Sequence, residues 1–300
     1  MTLLVVGVLG RGLVDVDTPV ATADDLGITR GDGCFEGIRI SRPAGGGLGA
    51  VQVDKLDLHL ARMTRSAAAL DIPFEEQAWR GLIDEAARDW ATRHPADTEA
   101  ALKLVLTRGR PDDPATPTGF LTVSEIGPAV ARQRRDGVAV VTLDRGTAAS
   151  AFAAAPWLLG GVKTLSYVVN MAAQREAARC GADEVFFVSA DGWLLESPMA
   201  SIVWSVDGTL HTVEPGVNGI LGSTTVELLR ARAAEAGLPV VAGAGRVADL
   251  MAADVVLSVS SVRGPVRVHT IDGRPLTATG ADEVLARVRG LTGFPVAVPA

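Results

Sequence analysis

Two hydrophobic periods alternate along the first half of the chain. Apolar alternation and β-branched runs predict three strands, near residues 2–8, 34–40 and 101–107. Apolar residues at helical spacing predict helices over residues 55–70 and 76–92. The first half is therefore expected to form a sheet with helices packed on it.

The second half contains more strands, joined by tight turns and mixed with helices. Strands are predicted near residues 138–143, 184–189, 193–196, 202–206, 254–259 and 266–271. Helices are predicted over residues 165–179, 223–236, 247–252 and 281–290. Asp191-Gly192 and Asp207-Gly208 are typical of hairpin turns. This mixture predicts an α+β fold and not a regular parallel sheet.

A polar and basic stretch, "GPAVARQRRDG" from Gly127, separates two apolar segments near the middle of the chain. Such a stretch is typical of a linker. The 300 residues also amount to about twice the usual length of a single domain. We therefore predict an N-terminal domain over residues 1–128, an interdomain linker over residues 129–136 and a C-terminal domain over residues 137–300.

The composition excludes several classes of protein. Hydrophobic residues make up 48% of the chain and charged residues 21%, which indicates a globular protein. A net charge of −7 with scattered Lys and Arg argues against a nucleic-acid surface. The early apolar run at residues 3–9 is too short to span a bilayer, so we expect a cytoplasmic protein without membrane contact. Neither the two cysteines, Cys34 and Cys180, nor the four histidines have the spacing of a metal site.

The stretch "GGVKTLSYVVN" from Gly160 holds a single lysine, Lys163, with no acid and no second base. Its apolar neighbours in sequence are Trp157, Leu158, Leu159, Val162 and Leu165. Desolvation disfavours the ammonium form, so Lys163 is a candidate nucleophile suited to forming a Schiff base. The alternative is a lysine whose ammonium group reaches water from a strand end.

Segments spread over nearly the whole chain resemble a known enzyme family. They are "GDGCFEGIRI" from Gly31, "HLARMTRSAAAL" from His59, "KLVLTRG" from Lys103, "KTLSYVVNMAAQREAARCGADEVFFVSADGWLLESPMASIVW" from Lys163, "NGILGSTT" from Asn218 and "SSVRGPVRV" from Ser260. In this order they resemble the fold-type IV pyridoxal-phosphate enzymes, which include branched-chain and D-amino-acid aminotransferases and 4-amino-4-deoxychorismate lyase. The resemblance implies pyridoxal 5′-phosphate, bound between a smaller N-terminal α/β domain and a larger C-terminal domain. It also implies a homodimer in which a loop of the partner subunit lies near the substrate.

The resemblance assigns three side chains to the cofactor. Lys163 would bind pyridoxal phosphate as a Schiff base and then act as the catalytic base for proton transfer. Glu196 matches the glutamate that faces the pyridine nitrogen and keeps it protonated. Arg62, in "HLARM", matches the arginine that binds the phosphate.

The remaining cofactor contacts lie in two short segments. The backbone amides of Ile220 and Leu221 precede the helix predicted from residue 223, and a helix start offers N–H groups to an anion. Ser260 and Ser261 match a hydroxyl-bearing loop that would complete the phosphate cup. From residue patterns alone, these serines could equally end a strand.

Two positions depart from the family pattern. Branched-chain enzymes carry a tyrosine five residues after the lysine, where this chain has Val168, and its one tyrosine, Tyr167, lies one position earlier. Tyr167 is therefore a candidate substrate or ring contact. The arginine of the family's "GI-x-R" stretch is replaced by Gly222, so the phosphate site is expected to depend more on Arg62.

The resemblance leaves the reaction open. "GDGCFE" and "KLVLTRG" resemble the lyase and D-amino-acid branch, with Arg108 a candidate clamp for a substrate carboxylate. "FEGIR" instead resembles branched-chain aminotransferases, because lyases commonly carry threonine where this chain has Gly37. We favour the lyase of folate biosynthesis, which releases pyruvate and p-aminobenzoate from a small amino substrate. The alternatives are an amino-acid aminotransferase and a non-catalytic protein that keeps the fold.

Overall fold

The computed structural model describes residues 2–47, 50–113, 115–277 and 280–295. The chain divides into two compact units. Unit 1 comprises residues 1–127 and 162–166, and unit 2 comprises residues 128–161 and 167–300. Each unit is built on its own sheet.

Within the described residues, the sheet of unit 1 has six antiparallel strands. They are β1 (Leu3–Val8), β2 (Gly12–Val14), β3 (Gly33–Arg42), β4 (Gln52–Val53), β5 (Thr98–Thr107) and β6 (Thr118–Glu125). Their order across the sheet is β2-β1-β6-β5-β3-β4, which puts β3 and β5 side by side along ten paired positions.

In the part of unit 1 that the structure describes there are three helices: α1 (Leu26–Arg30), α2 (Leu56–Ala69) and α3 (Glu76–Arg93). The spacing of apolar residues in α2 and α3 gives each helix a buried stripe that includes Leu60, Met63, Trp79 and Trp90. Residues 34, 36, 38 and 40 of β3 are buried, as the period of two in a strand requires. One of them is the carboxylate of Glu36.

The sheet of unit 2 has eight strands of mixed direction in the part of the chain that the structure describes. They are β7 (Val138–Asp144), β8 (Glu184–Val188), β9 (Ser201–Val206), β10 (Thr209–Val213), β11 (Val240–Gly243), β12 (Val255–Ser260), β13 (Gly264–Ile271) and β14 (Arg274–Pro275). The order is β11-β10-β9-β12-β13-β7-β8, with β14 beside β13. The pairs β10–β11, β13–β7 and β7–β8 are parallel.

Among the described residues of unit 2, five α-helices and two apolar clusters accompany the sheet. The helices are α4 (Pro128–Asp136), α5 (Val168–Arg179), α6 (Thr224–Glu235), α7 (Val247–Ala252) and α8 (Ala281–Thr292). The predicted hairpin at Asp207-Gly208 is confirmed, since both residues have positive φ and Val206 pairs with Thr209. Among the described helices, none has the length and apolar character needed to cross a membrane.

Three predicted elements differ in the structure. The residues predicted as a linker form α4, and Arg134 of this helix donates to the carbonyls of Val262 and Arg263. The helix predicted from residue 165 begins at Val168, since the preceding residues pair with β3 instead. The strand predicted at 193–196 is reduced to one bridge, between Val188 and Leu194.

Candidate active site

Lys163 is held by its backbone at the edge of β3. Its carbonyl accepts from the Phe35 N–H at 3.1 Å, and its own N–H donates to the Ser66 hydroxyl of α2 at 3.3 Å. On either side, Thr164 bridges to Cys34 and the Leu165 N–H donates to the Gly33 carbonyl at 2.8 Å. These contacts fix the backbone on which the lysine side chain stands.

The half-buried side chain of Lys163 lies against an aromatic ring. Its Nζ atom is 4.3 Å from the centroid of Phe35. Two sequence neighbours expected to desolvate it are largely open to solvent, Trp157 at 75% and Leu158 at 48% exposure. The aromatic contact of the lysine therefore comes from β3, a strand distant in sequence.

A second lysine, Lys103 of β5, shares this ring and was missed by the sequence prediction. Its Nζ lies 5.3 Å from the Phe35 centroid. Lys103 pairs across the sheet with Gly37, where an added Cβ would meet no atom within 4 Å. Lys103 could have been found from the β3–β5 register, because this register places Phe35, Gly37 and Lys103 on one face of the sheet.

Arg62, predicted to bind phosphate, lies in a buried charge cluster with Glu36 and His59. Its Nε and Nη2 donate to the two oxygens of Glu36 at 2.7 and 2.6 Å. The Nδ1 atom of His59 lies 2.6 Å from Oε2 of the same carboxylate. Glu36 thus accepts from two of the five N–H donors of the guanidinium and fixes its plane.

The electrostatics keep Glu36 ionised. Burial alone would raise the pKa of Glu36, but the charges and hydrogen bonds of Arg62 and His59 outweigh burial and lower it to about 2. Burial lowers the pKa of His59 against the opposing effect of Glu36.

Arg108, the candidate clamp for a substrate carboxylate, is engaged within unit 1. Its Nε donates to Asp32 at 2.7 Å, and Nη2 and Nη1 donate to the carbonyls of Leu70 at 2.5 Å and Asp71 at 3.3 Å. These bonds tie the end of β5 to two loops. A substrate carboxylate would have to compete with Asp32, and the clamp role stays a prediction.

In unit 2, Glu196 contacts one of the predicted amides. Its Oε1 accepts from the Leu221 N–H at 3.2 Å. The Ile220 N–H donates to Oδ1 of Asn218 at 3.3 Å. Both amides predicted to bind phosphate therefore have side-chain partners, and Leu221 instead links the loop before α6 to the carboxylate.

Hydroxyl groups gather where α6 begins. Ser223 caps the helix by accepting from the Val226 N–H, and Ser261 lies 3.1 Å from Oγ1 of Thr224 and 3.2 Å from Oγ1 of Thr225. Ser260 is the last residue of β12 and pairs with Gly264. The two threonines were missed because "STT" predicts a helix start and gives no sign that Ser261 meets it.

Two further positions have a clear location. Tyr167 occupies the N-cap position of α5, where its carbonyl accepts from the Met171 N–H. Gly222, in place of the family's arginine, leaves open space, since an added Cβ would meet no atom within 4 Å. Within the described part of the chain, no group of three His, Cys, Asp or Glu side chains could hold a metal ion.

We predict that the Glu36 cluster makes the protein sensitive to acid. A carboxyl group whose pKa falls from 4.5 to about 2 on folding stabilises the fold above pH 4.5, and this contribution is lost as the pH falls toward 2. At pH 7, Glu36→Gln should lower the free energy of unfolding by about 3–5 kcal/mol, because Arg62 loses its buried partner. Urea titrations of both proteins should show this difference shrinking below pH 4.5.

Glu76→Gln is the matched control, because Glu76 forms an exposed ion pair with Arg80. Its effect should stay within about 0.5 kcal/mol at every pH. If Glu36→Gln lowered the free energy of unfolding by the same amount at acid and neutral pH, the assignment of a lowered pKa to Glu36 would be contradicted.

Known proteins resemble this chain over most of its length. A relative from Mycobacterium tuberculosis, named bifunctional aminodeoxychorismate lyase / D-amino acid transaminase, is 40% identical over 278 residues. The match covers 90% of this chain and 92% of the relative.

Solved structures agree with the fold. A hypothetical aminotransferase from Mycobacterium tuberculosis in its PLP-bound form is 37% identical, with a TM-score of 0.88 over 96% of this chain and 98% of that one. Its form bound to alpha-ketoglutarate and PMP is 38% identical, with a TM-score of 0.89 and the same coverage. The predicted fold class is confirmed. The family model for class IV amino-transferases matches residues 33–271, and the chain therefore belongs to the class IV amino-transferases.

Proposed function

We propose that this chain is a pyridoxal-phosphate-dependent lyase that converts 4-amino-4-deoxychorismate into p-aminobenzoate and pyruvate. The observation that carries the proposal is its 40% identity, over 90% of its length, to a relative named for that lyase activity. The cofactor is pyridoxal 5′-phosphate, in keeping with the family and with the PLP-bound form of a protein of the same fold.

The residues of each unit suit the chemical groups of this cofactor. In unit 1, Lys163 offers an amine for the aldehyde, and Arg62 offers a guanidinium whose plane Glu36 fixes. In unit 2, Glu196 offers a carboxylate for a protonated ring nitrogen. The hydroxyls of Thr224, Thr225 and Ser261, at the start of α6, suit a phosphate.

The cofactor, when bound, supplies an electron sink that makes the hydrogen beside the substrate amine acidic. Lys163 then takes up that proton at Nζ, and the hydrogen bonds of residues 163 and 165 hold the backbone that carries this side chain. In the lyase reaction, the C–O bond to the enolpyruvyl group breaks and the six-membered carbon ring of the substrate becomes aromatic. The proton count balances, because the hydrogen removed from the ring carbon is matched by the one that converts the enol to pyruvate.

An aminotransferase is the second candidate. Gly37 lacks the hydroxyl that lyases commonly carry, and the relative at 40% identity is also named a D-amino acid transaminase. A structure of the same fold contains alpha-ketoglutarate. A non-catalytic role is disfavoured by the joint presence of Lys163, Glu196 and Arg62.

We predict that Lys163 is the attachment point of the cofactor. Borohydride reduction of the loaded protein should fix the cofactor on the peptide that contains Lys163, as measured by mass spectrometry. Lys163→Ala should lose this adduct and about 10³-fold or more in kcat, because both the nucleophile and the base are removed.

Lys103→Ala is the matched control, since Lys103 lies over the same Phe35 ring. This variant should keep the adduct. An adduct found on Lys103, or on no lysine, would contradict the assignment.

The choice of reaction is tested by the products and by Gly37. The wild-type enzyme should release pyruvate and p-aminobenzoate in equal amounts from 4-amino-4-deoxychorismate. Gly37→Thr should raise the ratio of elimination to amino transfer roughly tenfold, because the open space at Gly37 admits a proton-carrying hydroxyl. Gly37→Ala adds a methyl without a hydroxyl and should leave the ratio unchanged. Amino transfer to keto acids without pyruvate release would favour the aminotransferase.

A homodimer is part of the same proposal. Helix α5 exposes large apolar side chains, with Val168 at 71% and Met171 at 45% exposure, which an interface would bury. Val168→Glu should weaken dimer association about tenfold or more in sedimentation experiments, because it places a charge in that interface. Val16→Glu, at an exposed valine of unit 1, should have no effect. A wild-type protein that sediments as a monomer would overturn this part of the proposal.

A further inference from the structure

A buried carboxylate that the proposed chemistry does not use lies in unit 2 and contacts segments that carry residues assigned to the cofactor. Glu184 is the first residue of β8, and its side chain is only 3% exposed. Its Oε1 accepts from the Ser197 hydroxyl at 2.6 Å, and its Oε2 accepts from Nη2 of Arg263 at 3.0 Å. One carboxylate thus joins two segments that are distant in sequence.

The first segment carries Glu196. Ser197 follows Glu196 directly and is itself buried, and its N–H donates to the Ala200 carbonyl at 2.9 Å. The Glu196 carbonyl accepts from the Phe187 N–H of β8 at 2.9 Å. The bond from Ser197 to Glu184 therefore adds a side-chain anchor next to the residue assigned to the ring nitrogen.

The second segment carries Ser261. Arg263 lies two residues further on, and its Nη2 also donates to the Ser258 hydroxyl at 2.6 Å. From the other side, Arg134 of α4 donates to the carbonyls of Val262 at 2.9 Å and Arg263 at 2.8 Å. The turn between β12 and β13 is thus held by two arginines.

The contacts form a closed ring within unit 2. From Ser261 the path runs to Thr224 and Thr225 at the start of α6, and the Leu221 N–H in the loop before α6 donates to Glu196. The bonds of Glu184 to Ser197 and to Arg263 complete the ring. The carboxylate assigned to the ring nitrogen and the hydroxyls assigned to the phosphate therefore share one buried support.

We propose that Glu184 and Arg263 are positioning residues that keep Glu196 and Ser261 at the spacing a pyridoxal phosphate requires. This inference rests on the proposed function, because it assigns Glu196 to the ring nitrogen of the cofactor and Ser261 to its phosphate. A buried ion pair adds little to stability over an apolar pair of similar size. Its role here is geometric, since supporting bonds behind a site control how precisely the binding groups are held.

The experiment compares cofactor affinity in folded variants. Glu184→Leu combined with Arg263→Met removes both charges together, so that no unpaired buried charge is left. It should weaken the Kd for pyridoxal phosphate about tenfold or more, with a smaller effect on pyridoxal, which lacks the phosphate. Arg132→Met is the control, because it removes the exposed ion pair with Asp183, the residue beside Glu184. Its Kd should equal that of the wild type.

Ser197→Ala tests the ring of contacts in unit 2 without removing the ion pair between Glu184 and Arg263. If the double variant does not fold, this variant alone tests the inference. It should raise the Kd about threefold and shift the pH dependence of the bound cofactor's absorbance, because only the anchor beside Glu196 is lost. Unchanged Kd and absorbance in folded variants would overturn the inference. Failure of the wild-type protein to bind pyridoxal phosphate would instead overturn the proposed function.

Discussion

The pairing of residues 162–166 with the edge of β3 is the constraint on which the account depends. Strand β4 pairs with Ile40 and Ser41 at one end of that edge, and residues 163–165 lie at the other end. Main-chain bonds at Gly33 and Phe35 hold these residues and place Lys163 against the Phe35 ring. The chain then leaves unit 1 at residue 166 and begins α5 of unit 2 at Val168. The backbone of Lys163 is thus held by hydrogen bonds to β3 and α2, although it lies in the segment that connects unit 1 to α5.

Both units use a buried carboxylate to hold an arginine. Glu36 holds Arg62 in unit 1, and Glu184 holds Arg263 in unit 2. An ionised carboxylate is costly to bury unless charges and hydrogen bonds satisfy it. Each glutamate therefore needs its arginine in a bonding position, and the bonds orient the arginine. The groups proposed to bind the cofactor are therefore oriented before the cofactor arrives, which reduces the entropy lost on binding.

The sequence predicted what local pattern controls. Strand alternation marked β3 and β5, the Asp-Gly pair marked the β9–β10 turn, and the motif around Lys163 pointed to the family. Long-range pairing decided the rest. The basic stretch before residue 137 resembled a linker because its partners, the carbonyls of Val262 and Arg263, lie more than a hundred residues away in sequence. Arg108 likewise resembled a free clamp because Asp32 meets it only through the fold.

The most direct test of the central claim is a crystal structure of the protein grown with pyridoxal phosphate. The account predicts continuous electron density from Nζ of Lys163 to the cofactor, with the carboxylate of Glu196 facing the ring nitrogen and the phosphate beside Ser261. A cofactor bound elsewhere, with the density of Lys163 ending at its own amine, would contradict it.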